Sequence, residues 1–180
     1  MNKIDVPAVI IHGDADMQTL TENKKQQKIK DDNFKQEPIL VLPDAGEELN
    51  IVGSQIFHKV KSKDTDGVFS VIEIVTPREK GVALHVHERE DELVYLLAGE
   101  IEVTLGNQKM KAVPGVMALL PRGIPHGFRN IGNKPSRLLD TILPGQFDNY
   151  FVELAALFAA GDPSEEQIDR LSRKYAIKYL

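Results

Sequence analysis

Short apolar runs recur through the middle of the chain, and turn-forming residues separate them. The runs are rich in Val, Ile and Leu, while Gly, Pro, Asn or Asp stands between them. This pattern favours short strands joined by tight turns. Many such strands with evenly spaced turns are typical of an all-β sandwich or barrel of antiparallel strands. The runs cover residues 39–42, 55–60, 68–75, 93–97, 101–105, 116–120 and 138–143.

The periodicity changes after Gly145. Ser164, followed three residues later by Gln167, has the pattern of a capped helix start. Apolar residues recur at helical spacing on both sides of this cap. We therefore expect a pair of short α-helices to close the chain within residues 146–180. The apolar positions are Phe147, Phe151, Leu154, Phe158, Ile168, Leu171 and Tyr175.

The first 36 residues differ from the rest of the chain. They are polar, with equal numbers of acidic and basic side chains, and lack the apolar stripe that a packed helix buries. We interpret residues 1–36 as an N-terminal polar arm, residues 37–145 as a β-barrel, and residues 146–180 as a helical extension packed on it. The short apolar stretch at residues 6–11 could add a strand across a subunit interface.

Composition and charge exclude several classes of function. The chain has 180 residues, enough for one domain with a sizeable core. The absence of cysteine excludes disulfides, thiolate ligands and cysteine nucleophiles. The net charge of −5 argues against a nucleic acid as partner. No apolar run approaches the roughly 20 residues of a membrane span, so we expect no membrane partner and predict a cytoplasmic protein.

Three of the five histidines form a pattern with one glutamate. His85 and His87 are two apart in a predicted strand, so their side chains point to the same face. Glu92 begins the next apolar run, after a polar segment that turns the chain back. His126 follows a rigid turn that contains two prolines and a glycine. Three imidazoles and one carboxylate suit a divalent transition metal, and the pattern predicts one such ion per chain.

Strand parity predicts the walls of a pocket around these ligands. Val94 and Leu96 share the face of Glu92, and Phe128 shares the face of His126, so an apolar cavity is expected at the site. Phe69 and Met117 are further candidates for its lining, with ordinary packing as the alternative for each. An aromatic or otherwise flat small-molecule substrate suits such walls.

Two spaced motifs resemble those of the cupin superfamily. The first is Gly81-x3-His85-x-His87-x4-Glu92-x6-Gly99, and the second is Gly115-x5-Pro121-x-Gly123-x2-His126-x3-Asn130. The chain departs from the family pattern in a shorter gap between the first glycine and the first histidine. The resemblance implies a jelly-roll barrel of antiparallel strands. It also implies that His85, His87, Glu92 and His126 are metal ligands, and Asn130 is then a structural residue.

A finer resemblance extends from about residue 44 to the C-terminus. Segments 90–100, 121–130 and 144–147 are similar to those of single-domain cupins related to quercetin 2,3-dioxygenases. This resemblance implies an oxygenase that acts with O₂ on a flavonol or a similar phenolic or enolic molecule. The expected metal is Fe, Mn, Ni, Co or Cu, with Zn as an alternative. Glu92 would also be catalytic, since a carboxylate within reach of a substrate hydroxyl can accept its proton. A plain ligand role for Glu92 is the alternative.

Two other functions stay open at this point. One is a cupin isomerase or lyase that acts on a sugar or keto acid, which would require basic residues facing the anionic substrate. The other is a non-catalytic cupin that binds a small molecule. The apolar surface of the predicted helices, together with the family, favours a homodimer.

Overall fold

The computed structural model describes residues 38–43 and 45–180. The predicted polar arm over residues 1–36, with its apolar stretch at residues 6–11, lies outside the described residues. No helix in the described part of the chain is both long enough and apolar enough to cross a membrane.

β-Strands are the main regular elements of the described chain. Two α-helices follow the tenth strand, and 3₁₀ turns occupy Ser62–Thr65 and Gly145–Phe147. The strands are β1 (Glu47–Ile51), β2 (Ser54–Val60), β3 (Ser70–Thr76), β4 (Gly81–His87), β5 (Asp91–Ala98), β6 (Ile101–Leu105), β7 (Gln108–Ala112), β8 (Met117–Leu120), β9 (His126–Asn130), β10 (Ser136–Leu143) and β11 (Ile177–Tyr179), and the helices are α1 (Asp148–Ala159) and α2 (Glu165–Tyr175).

The strands form two sheets, and every strand pair is antiparallel. One sheet has the order β1-β2-β3-β10-β5-β8, and the other has the order β11-β4-β9-β6-β7. Apolar side chains from both sheets share one core, for example Ile72 and Leu96 from the first sheet and Ile101 from the second. The predicted all-β antiparallel architecture is confirmed.

Strand β10 shows how the sequence builds this core. Its residues alternate between buried and half-buried positions, as expected when one face of a strand lies against the opposite sheet. Leu138, Asp140 and Ile142 share the inward face and are all buried. Leu138 and Ile142 are ordinary core residues, but Asp140 is an acid on an otherwise apolar strand face.

The predicted helices are confirmed, and their apolar residues are used within the chain. Ser164 caps α2, because its hydroxyl accepts a bond from the Gln167 amide while the Gln167 side chain accepts from the Ser164 amide. Phe147, Tyr150 and Leu154 are buried in the same cluster as the strands of the core. The helices therefore pack on the sheets, and this apolar surface does not by itself require a second subunit.

Two expectations about strand positions were wrong. Residues 39–42 are not a strand, and Ile39 and Leu40 are 50% and 79% exposed. The helices also do not close the chain, because β11 follows them and pairs with β4. Ala176, in the left-handed region at φ 53°, ends α2 and turns the chain into β11. In both places pairing partners decided the outcome, and such partners are invisible in a local apolar run.

Candidate metal centre

The four predicted ligands lie together between the two sheets. His85 and His87 are on β4, and His126 is on the neighbouring strand β9, opposite His85 in the register. Gly81 allows β4 and β9 to approach, since a Cβ there would collide with the carbonyl group of Phe128. Glu92 lies on β5 in the other sheet. One sheet therefore provides three imidazoles, and the facing sheet provides the carboxylate.

The four side chains point their polar atoms at one another. The Nε2 atoms of His85 and His87 are 3.1 Å apart. Glu92 approaches His87 Nε2 with Oε1 at 3.2 Å and His126 Nε2 with Oε2 at 3.1 Å. One candidate ligand atom from each residue lies within 4.8 Å of all the others, and all four residues are buried.

Backbone carbonyl groups orient two of the imidazoles. His85 Nδ1 lies 2.8 Å from the Ala83 carbonyl oxygen, and His126 Nδ1 lies 2.9 Å from the Ile124 carbonyl oxygen. Because a carbonyl oxygen only accepts, Nδ1 carries the proton in both rings. The Nε2 atom of each ring is therefore the one that can coordinate a metal, once it carries no proton.

The spacing of these atoms fits a single divalent ion. Ligand atoms about 2.1 Å from an ion stand roughly 3.0 Å apart when they are at right angles to one another. The three close contacts within the cluster measure 3.1–3.2 Å. Imidazole suits zinc, copper, iron and nickel, while carboxylate suits manganese. The donor set thus fits a first-row transition metal without selecting one.

The charges within the cluster are balanced by its own residues. Burial, assisted by His126 and His87, lowers the pKa of His85 to about 4. Burial opposes charge on His87 as well, but Glu90 and Glu92 outweigh it and raise the pKa of His87 to about 9. Despite burial, hydrogen bonds from His126 and His87 hold the pKa of Glu92 far below its ordinary value. A metal ion would therefore replace a proton between a carboxylate and an imidazole.

Glu90 is a buried residue beside the cluster that the sequence interpretation missed. It is buried, and its Oε2 lies 3.5 Å from His87 Nδ1. A carboxylate behind a ligating imidazole fixes the ring and strengthens it as a donor. Its position three residues after His87 was the available signal, but the surrounding charged segment favoured an exposed turn.

Replacing Glu90 by Gln is expected to weaken metal binding by roughly 10–100-fold, because His87 loses its charged partner. Competition against a chelator of known affinity measures this change. Glu88→Gln is the matched control, since Glu88 is an exposed glutamate two residues away. Equal affinities for the Glu90 variant and the wild type would contradict a role for this carboxylate at the site.

A second pair of residues fixes the turn that precedes His126. Asp91 accepts bonds from Arg122 through the backbone N at 2.8 Å, Nε at 3.0 Å and Nη2 at 2.8 Å. The Gly123 amide also donates to the His87 carbonyl oxygen at 2.8 Å. These bonds hold the turn at residues 121–125 against the strands that carry the other ligands. The turn, which was expected to be rigid because of its prolines and glycine, is therefore also held in place by the Asp91 and Arg122 side chains.

A cavity of about 110 Å³ adjoins the four residues. Val94, Leu96 and Phe128 line it, as strand parity predicted. Among the described residues that line it, none is Lys or Arg. The other side chains around it are mainly apolar, for example Ile74, Val82, Ile101, Val103, Ala118, Leu120 and Leu138.

Two predicted lining residues do not reach this cavity. Met117 is 60% exposed, because β8 pairs with β5 so that Leu120 lies opposite Glu92 and Met117 lies opposite Tyr95. The inward side chains of β8 are thus Ala118 and Leu120. Phe69 precedes β3, whose Ile74 faces the cavity. Phe69 therefore has the opposite parity, and it is absent from the lining.

Two other buried polar residues lie outside the cluster. Asn130 donates from Nδ2 to the Thr76 and Lys134 carbonyl oxygens, so it is a hydrogen-bonding residue outside the cluster. His58 is buried on β2 with Nδ1 3.7 Å from Glu47 Oε2, and it does not belong to the cluster either.

Comparisons with known proteins agree with this geometry. Residues 71–142 match the family model described as "Cupin domain". An uncharacterised protein of Methanocaldococcus jannaschii is 34% identical over 70 residues, which are 39% of this chain and 56% of that protein. Quercetin 2,3-dioxygenase of Bacillus subtilis is 26% identical over 83 residues, 46% of this chain and 24% of that enzyme. These matches therefore span about half or less of the relatives' own length.

Solved structures share the fold. The structure of KdgF from Halomonas sp. aligns with a TM-score of 0.56 and 20% sequence identity, and the alignment covers 63% of this chain and 99% of that one. At this level of identity the likeness concerns the two-sheet architecture alone, since one fold hosts many unrelated activities.

Proposed function

Because this chain carries a cupin domain over residues 71–142, we propose that it binds one divalent transition metal and is an oxygenase for a small phenolic or enolic molecule. The observation that carries this proposal is the convergence of three imidazole Nε2 atoms and the Glu92 carboxylate at an apolar cavity. His85, His87, Glu92 and His126 would hold the ion. A bound ion of this kind supplies Lewis-acid and redox chemistry to an oxygen-bearing substrate and O₂.

Glu92 has a second task in this proposal. Its carboxylate lies at the boundary between the imidazoles and the apolar walls, within the lining of the cavity. A substrate hydroxyl bound there is within reach of this carboxylate, which can take its proton. The apolar walls exclude water from the deprotonated molecule. We therefore propose that Glu92 is a catalytic base as well as a ligand.

The size of the cavity favours a small substrate. Its volume of about 110 Å³ is somewhat smaller than the roughly 150 Å³ cavity that accepts a benzene molecule. A second cavity of about 350 Å³ shares several lining residues with it, including Tyr150 and Tyr179. The hydroxyls of these two tyrosines lie 2.8 Å apart. The first cavity therefore holds no more than a one-ring molecule, and the three rings of a flavonol would have to extend past the tyrosines.

The lining also bears on the alternative functions. Isomerases and lyases that act on sugar acids or keto acids need cations to hold the anionic group of their substrate. No Lys or Arg belongs to the described residues that line the metal cavity. This lining supports a neutral phenolic or enolic substrate over an anionic one.

Elemental analysis followed by oxygen uptake tests the proposed function. We expect near-stoichiometric Fe, Mn, Co, Ni or Cu in the purified protein, and oxygen consumption with catechol or another small enolisable molecule. Zinc alone without oxygen uptake would contradict the oxygenase and favour non-oxidative chemistry or simple ligand binding. An empty site that takes up none of these ions on reconstitution would contradict the metal centre itself.

The outer face of the six-stranded sheet is apolar beside its β8 edge. Leu119 is 65% exposed, and Met117 is exposed too. Their partners on β5, Leu93 and Tyr95, continue this surface, and β8 is the last strand of its sheet. The backbone groups of such an edge strand can pair with a strand of another chain. We propose that a second copy covers it, since a two-fold axis brings the same apolar edge to itself without needing complementary charges.

Replacing Leu119 by Lys is expected to convert this homodimer into monomers, because the dimer would then bury two lysine charges near its axis. Sedimentation velocity of the full chain measures the change. Val68→Lys is the control, since Val68 is also an exposed apolar residue but lies before β3. A monomeric wild type, or a Leu119 variant that stays dimeric, would contradict this interface.

A further inference from the structure

Asp140 is a buried carboxyl group that the site described above does not use. It lies on the inward face of β10, is 4% exposed and lines the metal cavity. Its Oδ1 atom is buried without a hydrogen-bond partner. The neighbouring inward residues of the same strand, Leu138 and Ile142, are ordinary core residues.

The strand register places Asp140 beside the candidate catalytic base. On the β5–β10 pair, Glu92 lies opposite Ile142, and Asp140 lies opposite Val94. Glu92 and Asp140 are therefore diagonal neighbours on one face, a spacing of about 7–8 Å between Cα atoms. Burial, together with the charge of Glu92, raises the pKa of Asp140 well above its ordinary value. Both carboxyl groups face the same cavity from the same sheet.

Glu73 is a buried acid with a structural role, and its surroundings can be compared with those of Asp140. It lies on β3 and is also buried, but Lys59 Nζ is 3.2 Å from one oxygen and Arg137 Nη2 is 2.6 Å from the other. Within the part of the chain that the structure describes, Asp140 has no such cation, although burying a carboxyl group without a partner is costly. A structural account does not explain why the chain keeps an acid there.

The other polar groups of the cavity wall are already engaged. His85, His87, Glu92 and His126 turn their polar atoms towards one another. The hydroxyls of Tyr150 and Tyr179 are bonded together. Among the described residues of the wall, Asp140 Oδ1 is a buried polar atom without a hydrogen-bond partner. It also differs from His87 Nδ1 and His126 Nε2, which each face a carboxylate. A site that hydrogen-bonds a ligand leaves a buried polar group unpaired until the ligand binds, and Asp140 is such a group beside the cavity.

We propose that Asp140 is a specificity-determining residue that hydrogen-bonds a substrate oxygen other than those bound at the metal. This inference rests on the proposed function, and it narrows the substrate class. The preferred molecule presents one pair of adjacent oxygens to the metal and carries a further hydroxyl that reaches β10. Dihydroxy rings without that third oxygen bind less tightly, because they leave Asp140 unpaired.

Three related phenols test this inference on the metal-loaded protein. Catechol has only the chelating pair of hydroxyls, while pyrogallol and 1,2,4-trihydroxybenzene add a third hydroxyl at the two distinct ring positions that remain. Anaerobic titration gives the affinity for each without turnover. We expect at least one of the trihydroxy compounds to bind roughly tenfold more tightly than catechol, the advantage of a hydrogen bond to a buried acid.

Two substitutions assign that advantage to Asp140. Asp140→Val removes the polar atoms, and we expect it to abolish the preference for the third hydroxyl while leaving the affinity for catechol within about twofold of wild type. Asp140→Asn keeps a hydrogen-bonding group of the same shape and should retain part of the preference. Thr141→Val is the control, because Thr141 is the adjacent residue on the opposite face of β10.

Thermal unfolding separates this role from a structural one. If Asp140 is held for a ligand, replacing it by Val should raise Tm, since an unpaired buried acid gives way to an apolar β-branched residue. A lower Tm for both the Val and the Asn variants would overturn the inference. So would catechol binding without any advantage for either trihydroxy compound. Failure of all three phenols to bind the wild type would overturn the proposed function together with this inference.

Discussion

Replacing His126 by Ala is expected to abolish stoichiometric metal binding while the two sheets remain folded. The imidazole provides one of the four candidate donor atoms of the cluster, lies 3.1 Å from Glu92 and hydrogen-bonds the Ile124 carbonyl oxygen. Its loss removes the donor that β9 contributes. The apolar core does not depend on it, because that core is formed by residues such as Ile72, Leu96 and Leu138.

Metal content and circular dichroism check this result together. His87→Ala should behave in the same way, since its Nε2 touches both His85 and Glu92. His58→Ala is the matched control, because it removes a buried histidine that lies outside the cluster. Full metal retention by the His126 and His87 variants would refute the ligand assignment.

Replacing Glu92 by Gln is expected to reduce turnover by roughly 10²–10⁴-fold while metal content falls much less. The amide keeps an oxygen donor of the same shape, so the imidazoles still hold the ion. It cannot take a proton from a substrate hydroxyl. The difference between the two losses therefore measures the catalytic role of this side chain apart from its role as a ligand.

Oxygen-uptake rates and metal analysis on the same preparations give both quantities. Glu73→Gln provides the control for a buried glutamate, since Glu73 pairs with Lys59 and Arg137 away from the cavity. Parallel losses of metal and activity in the Glu92 variant would show that Glu92 is only a ligand. Unchanged activity would contradict both roles.

The three histidines among the candidate ligands were predictable because their positions depend on local geometry, whereas Glu92 was predicted from its place in the first motif. The period of two along a strand places His85 and His87 on one face whatever the rest of the fold does. The prolines and the glycine before His126 fix the shape of their turn by their own backbone preferences. Where such local rules apply, the prediction and the structure agree, as they also do for the Ser164 cap of α2.

The lining of the cavity was only partly predictable because it depends on register. Val94 and Leu96 follow from the parity of Glu92 within one strand, and both reach the cavity. The prediction that Met117 lines the cavity was wrong, because the sequence of β8 does not indicate which of its residues lies opposite Glu92 on β5. A shift of one residue exchanges the two faces of a strand, so pairing between strands decided that Leu120 faces inward.

Asp140 and Glu90 are residues whose surroundings could not be predicted from the sequence. The sequence displays an acid within an apolar run at residues 138–143, and a glutamate three residues after His87. Neither fact reveals that Asp140 lacks a partner or that Glu90 stands behind an imidazole. Those properties depend on which groups the facing sheet and the neighbouring turn bring near.

The sequence by itself determined the strand-rich architecture and the two C-terminal helices, because periodicity and turn chemistry act over a few neighbouring residues. The four candidate ligands were predicted from the spacing of the two motifs. The tertiary structure decided the rest. Pairing of β11 with β4 placed Tyr179 opposite His85, and the facing of the two sheets brought Glu92 to the imidazoles. Those contacts join residues far apart in the chain, and their energies depend on burial and register, which no local pattern contains.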